Sequence, residues 1–186
     1  MSEQMGRRQF VNRVIAAGIA GKVAGLVGCS QQKASSAPAK PAPDDIVTLG
    51  KTGIRLSRLG MGTGMKGWNG QSNQTRLGMD KLTSLFRHLY DRGLTYVDCA
   101  DMYGSHVYLR NAMKYIPRER LTIVTKTVSR DAEGVRRDVE RFRQELGTDY
   151  IDIVLLHCLT DGDWTRKLQG AMDALSEAKD KGIIRA

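Results

Sequence analysis

From residue 46 onward, a strand followed by a helix recurs about every thirty residues, which is the length of one βα module. The strand-like runs 96–98, 121–126 and 151–157 alternate with stretches whose apolar residues are spaced three or four apart, as on one face of a helix. Gly93 and Gly147 stand where two of these helices are expected to end. This alternation predicts an α/β fold in which parallel strands are covered by helices.

The number of units favours a barrel. Residues 47–49 and 54–56 flank a glycine-containing turn and predict a short β-hairpin, and residues 59–62 would form the first barrel strand. This strand opens the first of four βα units, and residues 183–186 begin a fifth strand. We therefore expect a partial (β/α)8 TIM barrel with an N-terminal β-hairpin. A complete barrel takes about 250 residues, so we interpret residues 46–186 as part of a larger protein. An open doubly wound sheet would give the same alternation and stays open as an alternative.

The first 29 residues are typical of an export signal. Arg7 and Arg8 form a twin-arginine pair, Phe10 follows them, and residues 14–28 are mostly small and apolar. This segment is too short for a permanent transmembrane helix. The sequence Leu-Val-Gly-Cys that ends at Cys29 looks like the lipobox of bacterial lipoproteins. We expect transport by the twin-arginine export machinery and a lipid anchor at Cys29, or else cleavage near residues 37–39.

Residues 30–45 are rich in Ala, Pro and Ser and predict a disordered linker that cannot bury a core. The expected organisation is therefore an export signal over 1–29, this linker, and a barrel domain over 46–186. The domain would lie in the periplasm or be anchored to the outer side of the cytoplasmic membrane.

The net charge of +9 raises the possibility of a nucleic-acid partner. Part of this excess, including Arg7, Arg8 and Arg13, lies in the leader. The rest is spread over predicted helix faces that also carry acids, which is typical of a solvated surface. We expect no nucleic-acid binding.

Polar side chains end three of the predicted strands, namely Asp98, Lys126 and His157, and Tyr103 follows the first of them closely. In a barrel of parallel strands, catalytic groups lie where strands end and βα loops begin. A carboxylate, an ammonium, a phenol and an imidazole at that edge predict proton chemistry.

Three segments together carry a family resemblance: Asp-Cys-Ala-Asp-Met-Tyr-Gly over 98–104, Thr-Lys at 125–126, and Tyr-Ile-Asp-Ile-Val-Leu-Leu-His over 150–157. In this order and with these separations they resemble the aldo/keto reductases, and the resemblance runs from residue 47 to residue 186. It implies a reductase that moves hydride from NADPH or NADH to a small carbonyl substrate, an aldehyde or a ketone.

The resemblance also implies a role for each polar residue. Tyr103 would be the general acid that protonates the carbonyl oxygen, and Lys126 would lower the pKa of Tyr103. Asp98 would pair with Lys126 and contact the nicotinamide ribose. His157 would orient and polarise the substrate carbonyl.

Gly62 and Thr63 match the stretch that approaches the nicotinamide end of the cofactor in the family. Residues 62–67 also satisfy the pattern GxGxxG, but no helix pattern opens at the third glycine. We interpret these glycines as residues that let the first βα loop turn and pass near a ligand. Cys99 and Cys158 depart from the family, which commonly has threonine and frequently an aromatic residue there.

No metal site is expected, because His88 and His106 lack ligands at metal spacing and are interpreted as surface or loop residues. A metal-dependent hydrolase on the same barrel would need paired histidines or carboxylates on the first strands. A second alternative is a cofactor-binding sensor or subunit with little turnover.

The 186 residues alone are expected to bind the cofactor poorly and to be inactive, since the later strands and loops of the family are absent.

Overall fold

The computed structural model describes residues 40–186 of the protein. The predicted export signal, the lipid anchor at Cys29 and most of the linker lie outside the described residues. The strands are β1 (Ile46–Thr48), β2 (Arg55–Ser57), β3 (Gly60–Gly62), β4 (Tyr96–Asp98), β5 (Thr122–Thr127) and β6 (Ile153–Leu156). The helices are α1 (Met79–Asp91), α2 (His106–Ala112), α3 (Ala132–Leu146), α4 (Trp164–Lys167) and α5 (Gln169–Asp180).

Strands β1 and β2 form the expected hairpin, in which Val47 lies opposite Leu56 in antiparallel register. The turn between them needs Gly53, whose φ of 72° lies in the left-handed region that favours glycine. The hairpin is extended by backbone bonds from Arg58 to Asp45 and from Leu59 to Pro43, both 2.8 Å long. The last residues of the predicted linker therefore take part in ordered backbone.

The four strands β3 to β6 form one parallel sheet in which each strand pairs with the next along the chain. A fifth position begins at Ile184, which makes an isolated parallel bridge to Ile151. The strand order shows no reversal, which a doubly wound sheet would have at its switch point. The fold is thus α/β with the sheet of a partial (β/α)8 barrel, as the sequence predicted.

The helices cover the sheet because each carries one apolar stripe. Leu82 and Phe86 of α1 and Phe142 of α3 are buried together in one core. Helix α3 has clear end signals: the Asp131 side chain accepts a 2.8 Å bond from the Gly134 amide, and Gly147 ends the helix with a φ of 67°. No helix within residues 40–186 is long and apolar enough to cross a membrane.

One local expectation was wrong, and one element was not foreseen. His106 is buried rather than a surface or loop residue, because it begins helix α2 and packs edge-on against Phe142. The short helix α4 was not predicted, since four residues are too few to show a helical period. His88 is exposed on α1, as expected.

Candidate active site

The structure brings the four predicted catalytic residues together at the carboxyl edge of the parallel sheet. Asp98 ends β4, Lys126 is the penultimate residue of β5, and His157 directly follows β6. Tyr103 ends a 3₁₀ turn, Asp101–Tyr103, that follows β4. Neighbouring parallel strands end at the same edge, so these separate stretches of sequence converge there.

Lys126 is held by two acceptors. Its Nζ donates to the Asp98 carboxylate and, at 2.8 Å, to the backbone oxygen of Cys99. The Lys126 side chain is 15% exposed, so the ammonium is mostly shielded from water. The pairing of Asp98 with Lys126 that the resemblance implies is present.

Tyr103 lies between this ion pair and His157. Its hydroxyl is 3.4 Å from Nε2 of His157, and the two rings meet edge-on with their centroids 5.6 Å apart. The Lys126 Nζ lies 5.4 Å from the centre of the Tyr103 ring. The Tyr103 phenol thus lies near both the His157 imidazole and the paired Lys126 ammonium.

The pKa of Tyr103 differs from the sequence expectation. Burial raises the pKa of this phenol above its ordinary value, and the negative charge of Asp98 raises it further. We had expected Lys126 to lower the pKa of Tyr103. In this structure burial and the Asp98 charge outweigh the attraction of the phenolate to the ammonium. The phenol is therefore fully protonated at neutral pH and available as a proton donor.

His157 is buried, and its pKa is lowered first by burial and then by the charges of Lys126 and Arg130. The imidazole is therefore neutral at neutral pH. Its Nδ1 has no hydrogen-bond partner among residues 40–186. A neutral ring has one N–H donor and one acceptor nitrogen, so it can donate to a carbonyl oxygen without adding a charge.

The pKa of Tyr103 should depend on the charge of Asp98. Replacing Asp98 with asparagine removes a negative charge that opposes the phenolate, so the pKa of Tyr103 should fall. An alkaline titration followed by phenolate absorbance measures the pKa of Tyr103. The same titration of Tyr103→Phe is subtracted to remove the other tyrosines. An unchanged or higher pKa in Asp98→Asn would show that Asp98 does not control this phenol.

An open cleft of about 320 Å³ borders this cluster. It is lined by Gly62, Thr63, Gly64, Met65, Gln74, Asp98 and Tyr103. A Cβ on Gly62 would meet no atom within 4 Å, so the strand end is open to a ligand there. Thr63, the other predicted cofactor residue, differs from Gly62 because its side chain is buried. Its hydroxyl donates to the Asp98 backbone oxygen at 2.9 Å and lies 2.8 Å from Ser105 Oγ.

These residues fit the nicotinamide end of a cofactor. The Gly62 backbone leaves room for a flat ring beside Tyr103, and the Asp98 carboxylate, about one-third exposed, can accept from a ribose hydroxyl. Among residues 40–186 no group of His, Cys, Asp or Glu side chains is arranged to hold a metal ion.

Two glycines of the first βα loop pack against the Tyr103 ring, which the sequence interpretation missed. A Cβ on Gly64 or on Gly67 would lie 2.3 Å from a ring carbon of Tyr103. We had assigned these glycines to the approach of a ligand, but they allow the loop to lie on the tyrosine. The GxGxxG spacing was the available signal, and its physical reason is close packing rather than phosphate binding.

Gly64→Ala should therefore displace the Tyr103 ring and lower kcat of the full-length protein by about 10-fold to 100-fold, since a small misplacement of a reacting group is costly. Gly162→Ala is the matched control, because a Cβ there meets nothing within 4 Å. Steady-state kinetics and thermal melting of both variants test this. Equal kcat in the two variants would contradict the packing role of Gly64.

Comparison with known proteins agrees with this geometry. The sequence profile described as "Aldo/keto reductase family" matches residues 58–186, which is more than half of the chain. The chain belongs to the aldo/keto reductase family. The match begins just before β3 and includes Asp98, Tyr103, Lys126 and His157.

Among curated proteins, this aldo/keto reductase chain is 29% identical over 167 residues to an NADH-specific methylglyoxal reductase of Escherichia coli (strain K12). That match covers 75% of this chain and 50% of the relative. The chain thus spans about half the length of the curated relatives it matches.

Solved structures show the same likeness. A thermostable aldo-keto reductase in complex with the inhibitor epalrestat is 28% identical and superimposes with a TM-score of 0.64, over 75% of this chain and 51% of that one. A Bombyx mori aldo-keto reductase in complex with NADP shares the fold, with a TM-score of 0.61 at 19% identity over 76% of this chain and 48% of that one. Several relatives are named as reductases, so the chain belongs to a family of oxidoreductases.

Proposed function

We propose that this protein, as a full-length enzyme, reduces an aldehyde or a ketone with hydride from NADPH or NADH. The observation that carries the proposal is the position of the Tyr103 hydroxyl, 3.4 Å from His157 Nε2 and beside the Lys126–Asp98 ion pair. Residues 1–186 alone would show little turnover, because they span about half the length of the relatives.

Each residue has a role in this mechanism. A nicotinamide cofactor, when bound beside Gly62 and Asp98, supplies the hydride that forms the new C–H bond at the carbonyl carbon. The neutral His157 ring donates to the carbonyl oxygen and orients it. Tyr103 gives its O–H proton to that oxygen, so the product is an alcohol and the phenol regains a proton from solvent.

The Lys126–Asp98 pair supports this transfer. As Tyr103 gives up its proton, negative charge develops on the phenol, and the Lys126 ammonium, whose Nζ lies 5.4 Å from the ring centre, attracts it. Asp98 holds the ammonium in place, although its charge also keeps the pKa of free Tyr103 high.

A carbonyl panel tests the proposal. The full-length protein is mixed with NADPH or with NADH and with aldehydes and ketones, and cofactor oxidation is followed by absorbance. Methylglyoxal belongs in the panel, because a relative is named for its reduction. Oxidation that depends on a carbonyl compound is expected. Tight cofactor binding without turnover would instead favour the sensor or subunit function.

We further propose that the enzyme is exported by the twin-arginine machinery and anchored through a lipid on Cys29. The proposal rests on the Arg7-Arg8 pair and on the lipobox-like sequence that ends at Cys29. Cell fractionation of the wild type, of a variant with both arginines changed to lysine, and of Cys29→Ser tests it. Cytoplasmic retention of the wild type would reject export, and a soluble periplasmic wild type would reject the anchor.

A further inference from the structure

The guanidinium of Arg141 donates hydrogen bonds to three carboxylates next to the candidate active site. Arg141 lies on α3, and its Nη1 donates to Asp101 at 2.7 Å and to Glu145 at 3.0 Å, while Nη2 donates to Asp138 at 2.9 Å. Asp138 and Glu145 belong to the same helix, but Asp101 lies 40 residues away in sequence. A planar fork with several donors suits this geometry, which a lysine could not reproduce.

The bond to Asp101 reaches the element that carries the proposed proton donor. Asp101 is the first residue of the 3₁₀ turn Asp101–Tyr103. This turn is one short loop of backbone, so a tether at its first residue restricts where Tyr103 at its last residue can lie. No other side chain among residues 40–186 bonds to the Asp101 carboxylate.

The other two carboxylates reach the strand that carries Lys126. Asp138 accepts from the hydroxyl of Thr127, the residue after Lys126, and from Ser129 Oγ at 2.8 Å. On the other side, Glu145 lies 2.7 Å from Nδ1 of the buried His106, whose Nε2 lies 2.8 Å from Thr125 Oγ1. The residues on either side of Lys126 are thus both connected to Arg141.

The charges in this cluster are stable at neutral pH. Hydrogen bonds from Thr127 and Arg141 lower the pKa of Asp138 despite its burial, and the bond to His106 lowers that of Glu145. The bond to Asp101 raises the pKa of Arg141 further above its ordinary value. Asp138, Glu145 and Arg141 are therefore ionised, and the bonds among these three groups are charge-assisted.

We propose that Arg141 is a positioning residue that fixes the turn carrying Tyr103 relative to the strand carrying Lys126, a role that rests on the proposed carbonyl reduction. It contacts neither reacting group. It acts through Asp101 on one side and through Asp138, Glu145 and His106 on the other. The Tyr103 hydroxyl and the Lys126 ammonium are thereby held in a fixed position relative to each other.

The main experiment uses Arg141→Gln and Arg141→Lys in the full-length protein, with Arg137→Gln as the matched control. Arg137 is on the same helix, and within residues 40–186 its side chain makes only an exposed pair with Glu133. We expect kcat to fall about 10-fold to 100-fold in both Arg141 variants, with KM for the cofactor unchanged. Lysine should not rescue kcat, because it keeps the charge but not the fork. Rescue by lysine, or a kcat equal to that of Arg137→Gln, would overturn the proposal.

Loss of Arg141 removes the cation that three carboxylates share, so those variants can fail to fold. Asp101→Asn is the milder test, since Arg141 keeps Asp138 and Glu145. It should also lower kcat in a protein that melts close to the wild-type temperature. If both residues act through the Arg141–Asp101 bond, the effects of Asp101→Asn and Arg141→Gln on kcat should not be additive in the double variant. Additive effects would contradict this shared role.

A readout without turnover separates this proposal from the proposed function. When the turn is loosened, the Tyr103 phenol becomes more exposed and leaves Asp98, so its pKa should fall in Asp101→Asn and stay unchanged in Arg137→Gln. Phenolate absorbance, taken against Tyr103→Phe, measures this. A lowered pKa in a protein that reduces no carbonyl supports the tether and rejects the function. An unchanged pKa in an active Asp101→Asn protein rejects the tether alone.

Discussion

Tyr103→Phe in the full-length protein should lower kcat for carbonyl reduction by about 10²-fold to 10⁴-fold, the usual contribution of a positioned general acid. The substitution removes one oxygen and keeps the ring that packs against Gly64 and Gly67. Packing of the first βα loop is therefore preserved. Stopped-flow and steady-state measurements of cofactor oxidation provide the rate, and cofactor fluorescence provides the affinity.

The affinity for the reduced cofactor should stay near the wild-type value, because the lost hydroxyl acts on the carbonyl oxygen. Tyr115→Phe is the control: Tyr115 is 60% exposed and its ring stacks on Arg87, away from the cleft. Turnover in Tyr103→Phe as fast as in Tyr115→Phe would remove Tyr103 from the mechanism.

The second large effect concerns stability and a buried carboxylate. The Asp152 side chain is fully buried and accepts from Arg118 Nη2 at 2.8 Å, Arg185 Nη1 at 2.7 Å and the Ile123 amide at 2.9 Å. Arg118 is 16% exposed and also donates to the backbone oxygen of Tyr150 at 3.0 Å. This network connects β5, the residue before β6 and the residues after α5 at the amino ends of the strands, whereas the active site lies at their carboxyl ends.

Arg118→Met should lower the free energy of unfolding by about 3 kcal/mol, because it leaves Asp152 with a single, half-exposed cation. Urea unfolding measures the change. Arg166→Met is the control, since its pair with Asp163 is exposed on both sides and is worth under about 1 kcal/mol. A double variant, Arg118→Met with Asp152→Leu, should recover part of the loss. Equal stability of Arg118→Met and Arg166→Met would show that the buried pair contributes little.

Much of the fold could be predicted because two local periods differ clearly along the chain. The apolar stripe of Leu82 and Phe86 has a helical period, and the run before Lys126 does not. The convergence of Asp98 with Lys126 followed from one rule, namely that parallel strands end at the same edge. The resemblance then supplied roles for those residues that periodicity could not give.

The errors arose where long-range contacts decide the outcome. His106 was expected at the surface, but Glu145 and Thr125 satisfy both of its nitrogens, so it can be buried without cost in unpaired polar atoms. The pKa of Tyr103 was expected to fall beside Lys126. It rises because burial disfavours the charged phenolate and the Asp98 charge opposes it further, and a sequence contains neither the burial nor the distances.

The contacts of Arg141 were also beyond sequence reasoning. On α3 it is one of several arginines with acids three or four positions away, a pattern typical of a solvated helix face. What distinguishes Arg141 is the bond to Asp101, which depends on how α3 packs beside the turn before Tyr103. Only the three-dimensional structure separates this arginine from its neighbours.

The most direct test of the central claim is a single-turnover measurement with reduced cofactor that carries deuterium at the transferable position. Wild-type full-length protein and an aldehyde should give an alcohol with one deuterium on the former carbonyl carbon, whereas Tyr103→Phe should bind the same cofactor and form that alcohol at least about 100-fold more slowly. An alcohol without deuterium, or equal rates in the two proteins, would contradict a hydride transfer that depends on the Tyr103 proton.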